Sequence, residues 1–186
     1  MTAPTPEVTI DASPATGQTG HAALAERFAV LMQRNQPALS RLASSHTRRT
    51  SDRDDLLQEI AMALWLALPR FRGECTERTF LFRIAHNRCI NYVVRRRELM
   101  PLDDAVAEIA DPAPGIETQV SNAQQSQRLL EGIRQLPLTY RQVVVLALEG
   151  LDYREMADVL GISDSNVGVR LNRARALLRE RLGESA

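Results

Sequence analysis

The stretch Tyr153–Arg175, YREMADVLGISDSNVGVRLNRAR, decides how this chain folds. It reads as a short helix, a three-residue turn opened by Gly161, and a longer helix, which is the grammar of a helix-turn-helix. Gly161 suits the left-handed conformation that ends the first helix, Ser163 suits the cap of the second, and Ile162 can staple onto Val167. In the second helix Val167, Leu171, Ala174, Leu178 and Leu182 recur at helical spacing, so that stripe is predicted to face a core. Asn166, Arg170 and Arg173 lie on one flank, with Ser165, Asn172, Arg175 and Arg179 further round. An α-helix with such a polar side fits the major groove of B-DNA, where Arg bonds guanine, Asn bonds adenine and other Arg residues fix register on phosphates. Asn166 and Arg170 are the base-contacting candidates, and Ser165, Arg173 and Arg175 complete the DNA-facing set. Polar runs taken alone usually just solvate a surface helix; turn, cap and staple together favour DNA binding.

Working outward, helices are predicted near residues 121–135, 138–148, 153–160 and 164–182, punctuated by Pro137, Gly150 and Gly161. Upstream, residues 99–120 combine acids with Pro101, Pro112, Pro114 and Gly115, the composition of a flexible linker. Before the linker, a helix from about Thr79 to Arg97 carries Phe80, Leu81, Ile84, Ala85, Tyr92 and Val93. An earlier helix starts with Ser51 as its cap and Asp54 three residues on, carries Leu56, Leu57, Ile60, Ala63, Leu64, Ala67 and Leu68, and is ended by Pro69 and Gly73. Leu24, Phe28, Leu31 and Met32 predict a first helix, and Pro37 suits the first turn of a second one carrying Leu39 and Leu42. Residues 1–20, rich in Thr, Pro, Ala and Gly, read as a disordered tail. Nothing alternates with period two. The expectation is an all-α protein: an N-terminal helical bundle over 21–98, an acidic flexible linker over 99–120, and a four-helix domain with the helix-turn-helix over 121–183.

Whole-chain charge points to no partner, because 23 basic residues balance 23 acidic ones, but the charges are segregated. From Arg70 to Arg97 eight Arg face only Glu74 and Glu77, whereas from Glu98 to Glu131 seven acids face only Arg128. All the basic residues are Arg, which suits bidentate phosphate contacts, although the codon bias of a GC-rich genome is the better explanation. Asp52, Asp54, Asp55 and Glu59 crowd the start of one helix. Complementing a helix terminus is worth about 0.3–1 kcal/mol per exposed charge, enough to account for one or two acids, so the surplus points to a basic protein partner. The Arg-rich stretch is interleaved with Phe71, Phe80, Phe82 and Tyr92, a pattern suited to single-stranded DNA, where cations follow the backbone and aromatic faces stack on bases. Phe80 and Trp65 sit within apolar runs and read as core; Phe71, near Gly73, is the candidate for exposure.

These residues resemble the extracytoplasmic-function sigma factors of bacterial RNA polymerase. The segment DRDDLLQEIAMALW, Asp52 to Trp65, is similar to that family's acidic helix, which implies polymerase binding by Asp52, Asp54, Asp55, Gln58 and Glu59. The segment TFLFRIAHNRCINYVVRRR, Thr79 to Arg97, resembles the helix that recognises and opens the minus-ten element, with Asn87, Asn91, Arg95 and Arg96 at its polar positions. Phe71 and Arg83 are added to this minus-ten set. The segment LPLTYRQVVVLALEGLDYREMADVLGIS followed by NVGVRLNRAR resembles the domain that reads the minus-thirty-five element. Phe80 stands where the family more often has Trp, Asn91 where it often has Asp, and Ser165–Val169 replaces the commoner Gly-Thr-Val-Lys-Ser. Core RNA polymerase, promoter DNA and an anti-sigma factor are the partners the resemblance implies.

An ordinary helix-turn-helix regulator with a sensing or dimerising bundle is the competing reading; it leaves the acidic and Arg-rich helices without a purpose. An enzyme is not expected: His21, His46 and His86 are scattered, no nucleophile has a local partner, and no glycines form a phosphate loop. No cofactor or metal is expected either, because His86 and Cys89 supply only two ligands and Cys75 is the sole third candidate. Two cysteines far apart suit a reduced, cytoplasmic setting, and neither a secretory signal nor an apolar run of membrane-spanning length is present, so no membrane insertion is expected.

Overall fold

A computed structural model describes residues 15–99 and 117–183. The described residues form helices α1 (Ala15–His46), α2 (Thr50–Ala67), α3 (Glu77–Leu99), α4 (Glu117–Arg134), α5 (Leu138–Leu148), α6 (Tyr153–Leu160) and α7 (Asp164–Leu182), with a 3₁₀ turn Leu68–Arg70 after α2. No strand occurs among the described residues, in keeping with the predicted all-α class. Residues 15–20, grouped with the tail by composition, open α1, and residues 117–120, grouped with the linker, open α4. The rest of the predicted tail and linker lies outside the described residues.

Two local expectations are corrected. Pro37 does not start a new helix; it sits inside the continuous α1. A proline within a helix costs roughly 3 kcal/mol. Burial of Leu39 and Leu42 at about 1.5–3 kcal/mol each, beside buried Leu31, Ala38 and Ala43, holds the apolar stripe in line across it. Ser51 is not the cap of α2: Arg53 N already bonds the Arg49 carbonyl, so Arg49 takes the cap position and Ser51 lies exposed in the first turn.

Helices α1, α2 and α3 enclose Leu39, Leu42, Leu56, Ile60, Leu64, Leu68, Leu81, Phe82, Ala85 and Cys89, while α4 to α7 enclose Ile133, Leu136, Val143, Leu146, Met156, Val159, Val167, Leu171 and Ala174. The helix-turn-helix has the predicted limits because its signals are local. Gly161 adopts φ 66°, Ser163 accepts from Asn166 N, and Asp152 and Glu155 form a reciprocal capping box at the start of α6.

The halves also pack on each other. Arg41 of α1 grips Glu149 with two bonds of 2.7 and 2.6 Å, and the Glu149 side chain is only 3% exposed. Arg78 donates to the Glu149 carbonyl, Thr79 Oγ1 donates to Glu155 Oε1 at 3.1 Å, and Arg134 Nε donates to the Ser44 carbonyl at 3.0 Å. Beside them lies a cavity of about 390 Å³ lined by Leu129, Leu130, Ile133, Val145 and Leu148 together with Ser40, Arg41, Ser44, Ser45, Ser126 and Glu149.

Candidate nucleic-acid interface

Helix α2 turns Leu56, Ile60 and Leu64 inward, which leaves Asp54, Asp55 and Gln58 exposed and Asp52 and Glu59 at its border with α3. Asp54 pairs with its neighbour Arg53 at 2.9 Å. From Asp55 and Glu59 the outer face continues to Met62, 65% exposed, and Leu66, 71% exposed. Sequence reasoning missed these two, although their signal was present: they are large apolar residues off the core stripe of their own helix. An acidic start followed by apolar side chains is the surface an amphipathic basic helix would cover.

Helix α3 presents Arg83, Asn87, Asn91 and Arg95 at four-residue intervals, with Asn87, Asn91 and Arg95 exposed and Arg83 half-buried. Packing of α3 against α2 brings two separately predicted sets together. Arg95 Nη2 donates to both Glu59 oxygens at 2.9 and 2.8 Å, and Arg96 Nη1 reaches Asp52 Oδ2 at 2.6 Å. The Tyr92 hydroxyl donates to Asp52 Oδ2 and accepts from Arg96, both at 2.8 Å. Partial burial and the bond to Asp52 push the Tyr92 phenol above its usual range. These groups, with Asp55 and Leu56, line a groove of about 400 Å³.

A second concavity, about 300 Å³, is lined by Arg70, Phe71, Arg72, Glu74, Cys75, Phe80 and Arg83. Phe71 is half-buried instead of free, because its ring leans on Phe80 with centroids 4.7 Å apart. The Arg27 guanidinium lies 5.4 Å from the Phe71 ring centre while pairing with Glu77 at 2.6 Å, a contribution from α1 that sequence spacing could not reveal. Arg83 Nη2 donates to Cys75 Sγ at 3.1 Å. Trp65 is likewise only partly buried, with the rings of Phe28 and His21 nearly perpendicular to its own at centroid distances of 5.3 and 5.6 Å. Phe71 and Phe80 with Arg70, Arg72 and Arg83 thus combine aromatic and cationic groups in one concavity, the chemistry that single-stranded nucleic acid calls for.

On α7, Ser165, Asn166, Arg173 and Arg175 are exposed and Arg170 is partly so, while Val167, Leu171, Ala174 and Leu178 are buried. Arg170 Nε donates to Asn166 Oδ1 at 3.0 Å, so the two base-contacting candidates form one unit that holds the guanidinium along the helix. Exposed Tyr153 and Val169 border this side.

The remaining titratable groups are structural in placement. Cys89 is fully buried, which pushes its thiol well up, and His86 is buried with its basicity lowered by desolvation. Among the described residues no group of three or more His, Cys, Asp or Glu side chains is placed to hold a metal ion. No helix among them is long and apolar enough to cross a membrane.

Comparison with known proteins agrees with this arrangement. Residues 31–98 match the family model of sigma-70 region 2, and residues 126–178 match that of sigma-70 region 4. The RNA polymerase sigma factor NccH of Alcaligenes xylosoxydans xylosoxydans is 32% identical over 163 residues, covering 85% of this chain and 88% of that protein. The solved structure of CnrH, a sigma factor of Cupriavidus metallidurans, in complex with the cytosolic domain of CnrY superposes with a TM-score of 0.63 at 28% identity, covering 87% and 91% of the two chains. The sigma factor RpoE of Bartonella quintana, solved with the anti-sigma factor NepR, shares the fold at TM-score 0.70 and 22% identity, over 87% and 99%. The region 2 match accounts for the acidic and Arg-rich helices that a plain helix-turn-helix regulator leaves idle. The chain therefore belongs to the sigma-70 family of RNA polymerase sigma factors, in its extracytoplasmic-function subfamily.

Proposed function

We propose that this sigma factor divides its work among three surfaces. Asp52, Asp54, Asp55, Gln58 and Glu59 of α2 dock on core RNA polymerase; Phe71, Arg83, Asn87, Asn91, Arg95 and Arg96 engage the minus-ten element; and Ser165, Asn166, Arg170, Arg173 and Arg175 read the minus-thirty-five element. Residues 21–98 and 121–183 are the two binding units, and 99–120 tether them. The observation that carries this reading is the juxtaposition, on adjacent helices, of an exposed acidic and apolar face with an Arg and Asn stripe leading to the Phe71 pocket.

Docking would bring both DNA-reading surfaces to one promoter, where cations hold phosphates and the rings of Phe71 and Phe80 receive an unpaired base. The chain performs no covalent step of its own and works in the cytoplasm, where its partners are. An anti-sigma factor completes the set of partners; the similar CnrH is solved with the cytosolic domain of CnrY.

The test is binding of the purified chain to bacterial core polymerase in competition with a housekeeping sigma factor. Near-stoichiometric, competitive binding is expected. The variant Asp54→Ala with Asp55→Ala should weaken it, whereas Arg170→Ala should spare it and weaken upstream promoter contact. Equal loss of polymerase binding in both variants would sink the division of labour.

A further inference from the structure

We infer that the acidic end of α2 is also an internal competitor for DNA phosphate: it occupies Arg95 and Arg96 until a basic partner takes its carboxylates, and Tyr92 is the positioning residue of this exchange. The inference rests on the assignment of α2 and α3 in the preceding subsection.

The geometry is specific. Glu59 holds Arg95 through both of its oxygens, and Asp52 holds Arg96 and the Tyr92 hydroxyl through one oxygen. A phosphate group asks of a guanidinium the same planar, charge-assisted bonding that a carboxylate does, so the two anions compete for the same donors. The pairs are also exchangeable. Side-chain exposures are 55% for Arg95, 37% for Glu59, 35% for Arg96 and 21% for Asp52, so water, salt and ligands reach all four. Ion pairs this open are weak enough singly to be traded for a phosphate oxygen.

The carboxylates on offer to a basic partner are thus the ones that sequester the arginines. A partner that binds Asp52 and Glu59 frees Arg95 and Arg96 for DNA, and DNA that takes the arginines frees the carboxylates for the partner. Such coupling is reciprocal by thermodynamic necessity. Tyr92 joins the pair by bonding both Asp52 and Arg96, which keeps the Arg96 guanidinium turned toward α2. Asp55 lines the same groove without an ion pair among the described residues, and so supplies an internal control for charge alone.

The experiment measures the affinity of the full chain, without polymerase, for a fluorescein-labelled single-stranded oligonucleotide of mixed sequence at low salt. Phosphate contacts carry no sequence information, so the promoter sequence is not needed. Asp52→Asn is expected to tighten binding about fivefold, at the low end of ordinary coupling. Tyr92→Phe should tighten it about twofold, the scale of one exposed pair. Arg96→Gln should weaken it, and Asp52→Asn added to Arg96→Gln should bring no further gain.

The competition is overturned if Asp52→Asn leaves affinity unchanged, since the carboxylate then holds nothing back from DNA, or if its gain persists in the Arg96→Gln background or is matched by Asp55→Asn, since either result assigns the effect to overall charge. Those failures leave the loss caused by Arg96→Gln intact. If Arg96→Gln has no effect on DNA binding with or without polymerase, the placement of Arg96 on DNA fails as well.

Discussion

Lowering the pH from 7 to 5 should destabilise this protein by about 2 kcal/mol through His46 alone. His46 is the last residue of α1 and is buried, at 7% exposure. With its proton on Nδ1 the ring donates to the Leu42 carbonyl at 3.0 Å, while Nε2 is buried without a partner among the described residues. A second proton would have to sit on Nε2, out of water and without an acceptor. Burial therefore lowers the imidazole from 6.5 to about 4, and the nearby charges of Arg141 and His86 act in the same direction. A base depressed in the fold takes up its proton on unfolding, so stability is complete above 6.5 and is lost as pH falls toward about 4. At roughly 1.4 kcal/mol per unit, the whole window amounts to about 3 kcal/mol. Urea unfolding at pH 7, 6 and 5 measures the effect. His46→Asn keeps a donor near the Leu42 carbonyl and removes the titration, so its stability should fall less over that range; His86, lowered by desolvation, adds a slope of the same sign. Parallel pH profiles for the wild type and His46→Asn would refute the reasoning.

Three further outcomes follow from the geometry. Arg170→Ala removes the guanidinium proposed to read the groove together with its bond to Asn166, and should cost about 1–3 kcal/mol of discrimination at one base position in a binding-site selection. Met62→Ser combined with Leu66→Ser should leave the melting temperature within a few degrees yet weaken polymerase binding in the competition assay, because both side chains are mostly exposed. Arg41→Ala strands the buried Glu149 carboxylate and should lower stability by about 2 kcal/mol in urea, while Arg41→Ala with Glu149→Leu should recover part of that loss.

Legibility in the sequence tracked how local each signal was. The α6 and α7 limits rest on Gly161, Ser163 and the stripe from Val167 to Leu182, all within one short window, and the structure matches them. Pro37 misled because its local preference for a first turn yields to contacts that Leu39 and Leu42 make with distant helices. Ser51 misled by less, since the helix begins only two residues earlier than its cap would set, with Arg49 in the cap position. The candidate site was legible as separate groups but not as an arrangement. Arg95 and Glu59 stand 36 residues apart, Arg96 and Asp52 stand 44 apart, and no periodicity within either helix announces that they meet. Phe71 was judged from its neighbour Gly73, whereas its burial is set by Phe80 and by Arg27 of α1.

Helix α1 is a wall of both halves: Leu39, Leu42 and Ala43 are buried with α2 and α3, while Arg41 reaches Glu149 at the end of α5 and the Ser44 carbonyl reaches Arg134 of α4. In hydrogen-exchange terms, the amides of residues 39–43 open only when two packed layers release them together, so they should be among the slowest to exchange. A ligand that parts the halves would leave an uneven imprint. Amides around Glu149–Leu151 would lose protection when Arg41 and Arg78 let go, while those of residues 39–43 would remain shielded by α2 and α3. One labelling experiment thus distinguishes separation of the halves from unfolding of either.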